Sequence, residues 1–428
     1  LLEKVVVPLA TEAYDTLRKR YGYTPPHKTS VEVFKSTATF SVRSVGLPAI
    51  SPHGICFGRV VTARSPSEGN FNWAEVIWHE LAHVFHIQMS GHRVPRWFTE
   101  GLAEYEAGVA RPEWRREQDF PLMAALRGGR LLSIRDLNRG FTRAKTVSDI
   151  VAAYYQATLV IEFIVERWEF KTIRKMLKLW AAHKPSQRVI KEATGLDIIG
   201  FDAEFEAWLR KRYATLLTTF EPWLADFADL DSFAATAKAR PKDADAVARY
   251  AIALFSARRL DESETRNRAA LSLDPSNPYA LFLGALLAQR SRDPAAAGRH
   301  LDQLLAGGDD GYTIRLTRGR LANAAGDRPK AIAEYEQATA LYPRGVEAYI
   351  ALTDLHEQAG DKTLAAQNLE QVTLLNQNDF DSASRLARLH RELGNGTDRL
   401  VAARRAANIR PFAPGIHAEL GRAALDLD

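Results

Sequence analysis

With 428 residues the chain is long enough for two or three domains, and 46% hydrophobic with 25% charged residues is the make-up of an ordinary globular protein. Its formal charge of +5 is spread among acids, as in Arg115-Arg116-Glu117 and Arg258-Arg259-Leu260-Asp261-Glu262, which excludes the concentrated basic stripe of a nucleic-acid binder. The single cysteine, Cys56, excludes an intrachain disulfide and any cysteine-built zinc cluster, so a metal site must draw on His and carboxylates.

Residues 1–70 have a mixed α/β pattern. Helical spacing over 1–21 ends at Gly22, and 31–34 and 37–42 alternate with β-branched residues as strands do. Residues 54–63 (GICFGRVVTA) predict a further strand, with turns at Gly46-Leu47-Pro48 and Ser51-Pro52-His53-Gly54. From Asn72 the pattern is helical. Asn72 with Glu75 forms a capping box for a helix over 73–89 that stops at Gly91. A second helix follows Pro95 and is ended by Gly108 and Pro112; more helices follow to about 217, one of them over 149–168. No stretch reaches the roughly 20 apolar residues of a membrane span; the best, 159–165, is broken by Glu162.

Beyond 240 the chain repeats. Pro241, Pro275, Pro343 and Pro411 fall on a 34-residue grid, with Asp309 and Gln377 at the two remaining points. Ala251, Ala285, Gly319, Thr353, Ala387 and Gly421 keep one position of that grid small, and Gly326, Gly360 and Gly394 mark a turn. This resembles the tetratricopeptide repeat, a helix–turn–helix pair of 34 residues, with about five units from 242 to 411 and a terminal helix from 412. The expected fold is therefore α+β, a small mixed sheet followed by a helical subdomain, joined to an all-α tetratricopeptide-repeat solenoid. The expected boundaries are 1–218 (1–70 mixed, 71–218 mainly helical), a connector over 219–240, and repeats over 241–428.

The chemistry concentrates in Trp78-His79-Glu80-Leu81-Ala82-His83. On a helix, His79 and His83 lie one turn apart on one face, so both imidazoles reach one ion, while Glu80 borders the site and suits activation of water. A catalytic zinc takes three protein ligands and keeps one open position. The metzincin histidine would fall six residues past His83, where Met89 stands, and His86 is out of spacing, an ordinary helix residue. Downstream, Pro95-Arg96-Trp97-Phe98-Thr99-Glu100-Gly101-Leu102-Ala103-Glu104-Tyr105 places Glu100 and Glu104 one turn apart on a helix that a short turn folds back antiparallel. Glu100 is thus the expected third ligand and Glu104 the acceptor for a ligand imidazole N–H.

His-Glu-Leu-Ala-His followed by Trp-Phe-Thr-Glu-Gly-Leu-Ala-Glu-Tyr resembles the gluzincin metallopeptidases of the thermolysin and aminopeptidase N type, and above all the bacterial peptidase MA-like group, many of which carry similar repeats. The resemblance covers about 30–215, its strong motifs lying between 78 and 105. It implies Zn2+ held by His79, His83 and Glu100, with Glu80 as general base and acid. It also implies an oxyanion-stabilising Tyr in Ala153-Tyr154-Tyr155-Gln156-Ala157, where one register selects Tyr154 and a one-residue slip selects Tyr155. The G-x-M-E-N segment with which aminopeptidases hold a free amine has no counterpart in 51–59, which favours cleavage within a chain. Residues 54–63 would then be either a substrate-pairing edge strand or an interior one; His53 and Arg59 are read as surface residues, with a place beside the cleft as the alternative.

The expected activity is zinc-dependent hydrolysis of peptide or protein substrates, with the repeats as a site for a protein partner. The alternatives are a catalytically silent scaffold working through its repeats and a zinc hydrolase of a non-peptide amide or ester. The family resemblance, with a first residue that is not Met, carries an expectation of a periplasmic or secreted location.

Overall fold

The computed structural model describes residues 2–46, 52–116, 118–143 and 147–427, leaving aside the side chains of 2, 68, 147–149 and 225. The expected turns at 46–48 and 51–54 lie partly outside the described residues. By contact the chain forms two compact units, one of Leu1–Arg212 together with Asp361–Asp428, the other of Tyr213–Gly360. The repeat array defined by periodicity is therefore shared between them. No helix among the described residues is long and apolar enough to cross a membrane.

The first unit opens with α1 (Val7–Tyr21), β1 (Ser30–Phe34), α2 (Thr37–Val45), β2 (Gly54–Cys56) and β3 (Val60–Arg64). Two expectations are corrected here. Residues 37–42 are helical, not a strand: the Ser36 hydroxyl caps α2 by accepting from Thr39 N–H at 3.2 Å, and the helix seats Phe40 in the core with no exposure. Burial of that face overrides the β-branched pattern. Residues 54–63 form a hairpin in place of one strand. Phe57 N–H donates to Val60 C=O at 2.8 Å across a Gly58-Arg59 turn in which Gly58 has φ 84°, a backbone angle that glycine adopts without strain. The sheet order is β1-β3-β2, with β1 parallel and β2 antiparallel to the central β3. β2 is thus an edge strand.

Helices follow: α3 (Trp73–Met89), α4 (Arg96–Ala110), α5 (Asp119–Arg127), α6 (Leu137–Thr142), α7 (Val147–Trp168), α8 (Phe170–Ala181), α9 (Ser186–Thr194) and α10 (Ile198–Arg212). α3 is apolar on almost every side and buried along nearly its whole length, as a central core helix must be. Its start matches half of the predicted capping box. Asn72 Oδ1 accepts from Glu75 N–H at 3.1 Å, but the Glu75 carboxylate turns away to Arg116. The Asn72 N–H donates instead to Asn378 Oδ1 at 2.7 Å, and its amide to Gln377 C=O at 3.4 Å, so a loop of the same compact unit completes the cap.

The second unit holds α11 (Ala214–Thr218) and α12 (Leu230–Ala239), then α13 (Ala244–Ser256), α14 (Leu260–Leu273), α15 (Pro278–Arg290), α16 (Pro294–Ala306), α17 (Tyr312–Ala324), α18 (Arg328–Leu341) and α19 (Val346–Gln358). The chain ends with α20 (Lys362–Leu375), α21 (Phe380–Leu393), α22 (Gly396–Ile409) and α23 (Ile416–Leu425). Helices α13 to α22 follow one another as the pairs the 34-residue grid requires, and α23 is the expected terminal helix. Small residues serve close packing: a Cβ on Gly319 would meet the Tyr335 ring at 2.5 Å. Gly326, Gly360 and Gly394 lie in turns at φ 79°, 81° and 74°. The architecture is an α+β unit with an all-α helical-repeat array.

Asn72→Ala removes both the cap of α3 and its amide bond to Gln377. It is expected to destabilise the first unit by about 1–2 kcal/mol, seen as a lower urea midpoint; an unchanged midpoint would show that the cap contributes nothing.

Candidate metal centre

His79, Glu80 and His83 sit mid-helix on α3, buried to 8%, 7% and 7% exposure. Since α3 is packed on other sides by apolar residues such as Ile77 and Phe85, its backbone has little freedom to shift the two imidazoles. α4 returns against α3 after a turn at 90–95, and its start is tied down by Trp97 N–H donating to Asn138 Oδ1 at 3.0 Å. α4 also packs against α7, and Gly101 makes that approach possible. A Cβ there would stand 2.5 Å from the Ala157 carbonyl. The glycine after Glu100 and the alanine after Tyr154 and Tyr155 are therefore two halves of one close helix contact.

The three expected ligands converge. His79 Nε2 and His83 Nε2 are 3.1 Å apart, and Glu100 Oε2 lies 3.6 Å from the first and 3.5 Å from the second. A tetrahedron with metal–ligand bonds of about 2.0–2.1 Å has edges of roughly 3.3–3.4 Å. The donor atoms thus outline one face of such a polyhedron. Two electron-rich ring nitrogens and a carboxylate suit a divalent ion of zinc's character, and no thiolate is needed. Burial works against a charged His79, but the nearby carboxylates, Glu100 foremost and then Glu104, Glu80 and Glu75, outweigh it and hold the ring up to about 9. Burial also pushes against Glu100 ionising, yet hydrogen bonds and charge from His79 and His83 hold its carboxyl well below the usual range. A cationic partner is what this cluster favours.

Behind His79 lies a group that local sequence reasoning only half identified. His79 Nδ1 faces Glu104 Oε1 at 3.6 Å and Glu75 Oε1 at 3.8 Å. All three atoms are buried and make no hydrogen bond among the described residues. Glu104 is thus on the expected side of the ligand imidazole, at a distance longer than a hydrogen bond. Glu75, foreseen only as a helix cap, shares that place; its spacing one turn before His79 was the available signal. Arg116 closes the group, 3.0 Å from Glu75 and 3.2 Å from Glu104. Burial raises the Glu104 carboxyl, Arg116 and His79 opposing it. Nothing local in the sequence pairs Arg116 with residues so far upstream.

All of these groups face a cleft of about 910 Å³. One wall is β2, where a Cβ on Gly54 would stand 2.6 Å from Glu80 Cγ and 2.9 Å from its Oε1. Gly54 is therefore the floor on which the Glu80 side chain rests. Burial raises the Glu80 carboxyl above its ordinary value, the two histidines opposing. His53 lines the cleft, stacked on Phe71 at 4.3 Å; Arg59 is exposed in the hairpin turn and does not line it. Cys56 also borders the cleft, its thiol pushed up to about 12 by burial.

Both tyrosines line the cleft, with different partners. The Tyr155 hydroxyl donates to Asp119. Tyr154 packs its ring on Phe141 at 4.8 Å. Burial and the nearby Glu100 charge keep the Tyr154 phenol well above its ordinary value, Arg96 notwithstanding, so it retains its proton. Arg96 reaches Glu100 Oε1 at 3.3 Å. His86, expected to be an ordinary helix residue, is fully buried and hydrogen-bonded at both ring nitrogens.

Residues 54–211 match the family model of the Peptidase MA superfamily. No curated protein matches the chain. Among solved structures, similarity is found to YrrB, a tetratricopeptide-repeat protein with an unusual peptide-binding site, at 17% identity over 46% of this chain and 99% of that one, with a TM-score of 0.37. PilW, a type IV pilus biogenesis factor, matches at 19% identity over 51% of this chain and 96% of that one, with a TM-score of 0.36. A repeat protein from Parabacteroides merdae matches at 13% identity over 62% of this chain and 99% of that one, with a TM-score of 0.30. At such scores the repeat architecture rests on the helix pairs themselves.

Arg116→Met leaves the Glu75 and Glu104 carboxylates facing each other without their cation. Because Arg116 is itself half-exposed, the loss is expected at about 1–2 kcal/mol near pH 7.5, below the ~3–5 of a fully buried pair. The Glu104 carboxyl, raised by burial, takes up a proton as pH falls, which relieves the repulsion. The gap between variant and parent in urea midpoint is therefore expected to narrow from pH 7.5 to 5; a gap that widens would refute the pairing.

Proposed function

We propose that the chain is a zinc-dependent peptidase that cleaves within peptide chains, using the cleft of residues 54–211, with the helical repeats as a protein- or peptide-binding surface. The observation that carries this reading is the convergence of His79 Nε2, His83 Nε2 and Glu100 Oε2 within 3.6 Å, beside Glu80 and open to the cleft. The Peptidase MA superfamily match over the same residues supports it.

His79, His83 and Glu100 would hold the ion. Zinc held there would lower the pKa of a water towards ~7 and polarise a carbonyl. Glu80 accepts the proton of the attacking water as the C–O bond forms, then returns it to the amide nitrogen as the C–N bond breaks. Its raised affinity for protons suits the second half of that cycle. Tyr154, protonated and steadied by Arg96, donates to the oxygen that becomes negative in the tetrahedral state. The free edge of β2 lies alongside Glu80, and an extended substrate backbone pairs there as an added strand. Repeat arrays present extended concave faces suited to protein segments, and this is the role assigned to α13–α22.

Two variants test the assignments. Glu80→Gln is expected to keep one zinc per chain by atomic absorption while kcat on a quenched fluorescent peptide library falls about 10²–10⁴-fold; parental turnover would remove Glu80 from its role. Gly54→Ala forces the Glu80 side chain aside without touching a ligand. It is expected to leave zinc content intact and lower kcat about 10–100-fold, and equal kcat would show that Glu80 does not rest on β2.

A further inference from the structure

A buried polar chain leads away from the ligand His83, and the chemistry above makes no use of it. His83 Nδ1 lies 2.8 Å from Thr99 Oγ1, and Thr99 Oγ1 lies 3.1 Å from His86 Nδ1. His86 Nε2 is 2.8 Å from the Tyr21 hydroxyl, which is 3.1 Å from Glu106 Oε1. Glu106 is paired with Arg20 at 2.8 Å. Thr99, His86, Tyr21 and Glu106 are exposed by only 8%, 0%, 1% and 2%. The chain joins α3, α4 and α1 in one line of contacts.

Counting protons gives this line a direction. His83 presents Nε2 to the ligand cluster, so its remaining proton is on Nδ1 and donates to Thr99 Oγ1. The Thr99 hydroxyl then donates to His86 Nδ1. A neutral His86 that accepts at Nδ1 carries its proton on Nε2, which donates to the Tyr21 oxygen. The Tyr21 hydroxyl is left to donate to Glu106. Burial and the Glu106 charge keep that phenol well above its usual value, so the proton stays there. Burial raises the Glu106 carboxyl, with Arg20 and Tyr21 opposing. With the His83 proton kept on Nδ1, reversing the rest of the line would set a phenol lone pair against the carboxylate and leave the Thr99 proton without an acceptor in the line.

We propose that Thr99, His86 and Tyr21 form a one-way hydrogen-bond relay that locks His83 in its Nδ1–H tautomer and anchors it to the Glu106–Arg20 ion pair, making His86 and Tyr21 positioning residues for the metal ligand. This rests on His79, His83 and Glu100 being the ligands. Such outer partners fix a ligand ring's tautomer and orientation, and their loss typically lowers metal affinity 10–100-fold. In most sites of this kind one group accepts the ring N–H; here the accepting charge stands four groups away, on another helix.

The test uses the full chain and zinc alone as probe, with affinity measured by competition against a chromophoric chelator. Thr99→Val and Tyr21→Phe keep shape while cutting the line at its first and third groups. Each is expected to weaken zinc about 10–100-fold, whereas His86→Gln, which retains one acceptor and one donor at similar spacing, recovers most of the parental affinity. A second readout is independent of stability and of catalysis: 15N spectra of selectively labelled histidines in the zinc-loaded protein. The expected result is His86 as the neutral Nε2–H tautomer and a His83 Nδ1–H resonance that shifts in Tyr21→Phe. Zinc-loaded parent with His86 protonated at Nδ1, or variants that bind zinc as tightly as the parent with an unmoved His83 signal, overturns the relay alone. A parent that binds no zinc overturns the ligand assignment, and the relay with it.

Discussion

Everything in the first unit is organised by the need to bring two imidazole nitrogens and a carboxylate oxygen within 3.6 Å of one another. That arrangement is unfavourable in itself, because it crowds electron pairs and desolvates a carboxylate. The fold supplies what holds it. α3 is immobilised by burial on nearly every side, and α4 is drawn close to α7 where Gly101 meets the Ala157 backbone. The same close contact that sets Glu100 beside the histidines also carries Tyr154 to the cleft wall, so both are positioned by one packing event.

How much of this the sequence disclosed follows from the range of each interaction. His79, Glu80, His83, Glu100 and Glu104 were legible because helical spacing is local and the turn before α4 leaves one way to return. The repeats were legible because a 34-residue period is written many times over. Thr37-Ala38-Thr39-Phe40 was misjudged because its β-branched residues argue for a strand, while the decision was made by Phe40 finding the core. Arg116, Gly54 and Tyr21 were invisible for a related reason. Their partners are Glu75 and Glu104, Glu80, and His86, residues from which they are remote in sequence, and nothing near any of them announces the meeting. His86 could be dismissed by its spacing as a ligand, but spacing says nothing about hydrogen bonds to Thr99 and Tyr21.

The repeats, too, are more than a sequence pattern appended to an enzyme-like domain. Residues 361–428 share a compact unit with the metal helix, and their Gln377-Asn378 corner completes the cap of α3 through Asn72. Arg405 on α22 lies within 3.6 Å of Glu113, just after α4, and 2.7 Å from Glu370 on α20. Part of the array is therefore structural support for the ligand helix. A periodic sequence marks where the repeats are, and contact marks which of them the cleft depends on.

The two imidazoles end up in unlike settings, and this bears on what the metal would feel. His79 Nδ1 faces Glu75 and Glu104 directly, two carboxylates with Arg116 as their counter-ion. His83 Nδ1 faces a neutral hydroxyl, with Glu106 and Arg20 at the far end of a line of bonds. An N–H close to negative charge makes its ring the stronger donor at the opposite nitrogen. The pair of histidines that the sequence presents as equivalent, one helical turn apart, is divided by its surroundings: one ring backs onto buried charge, the other onto a hydroxyl.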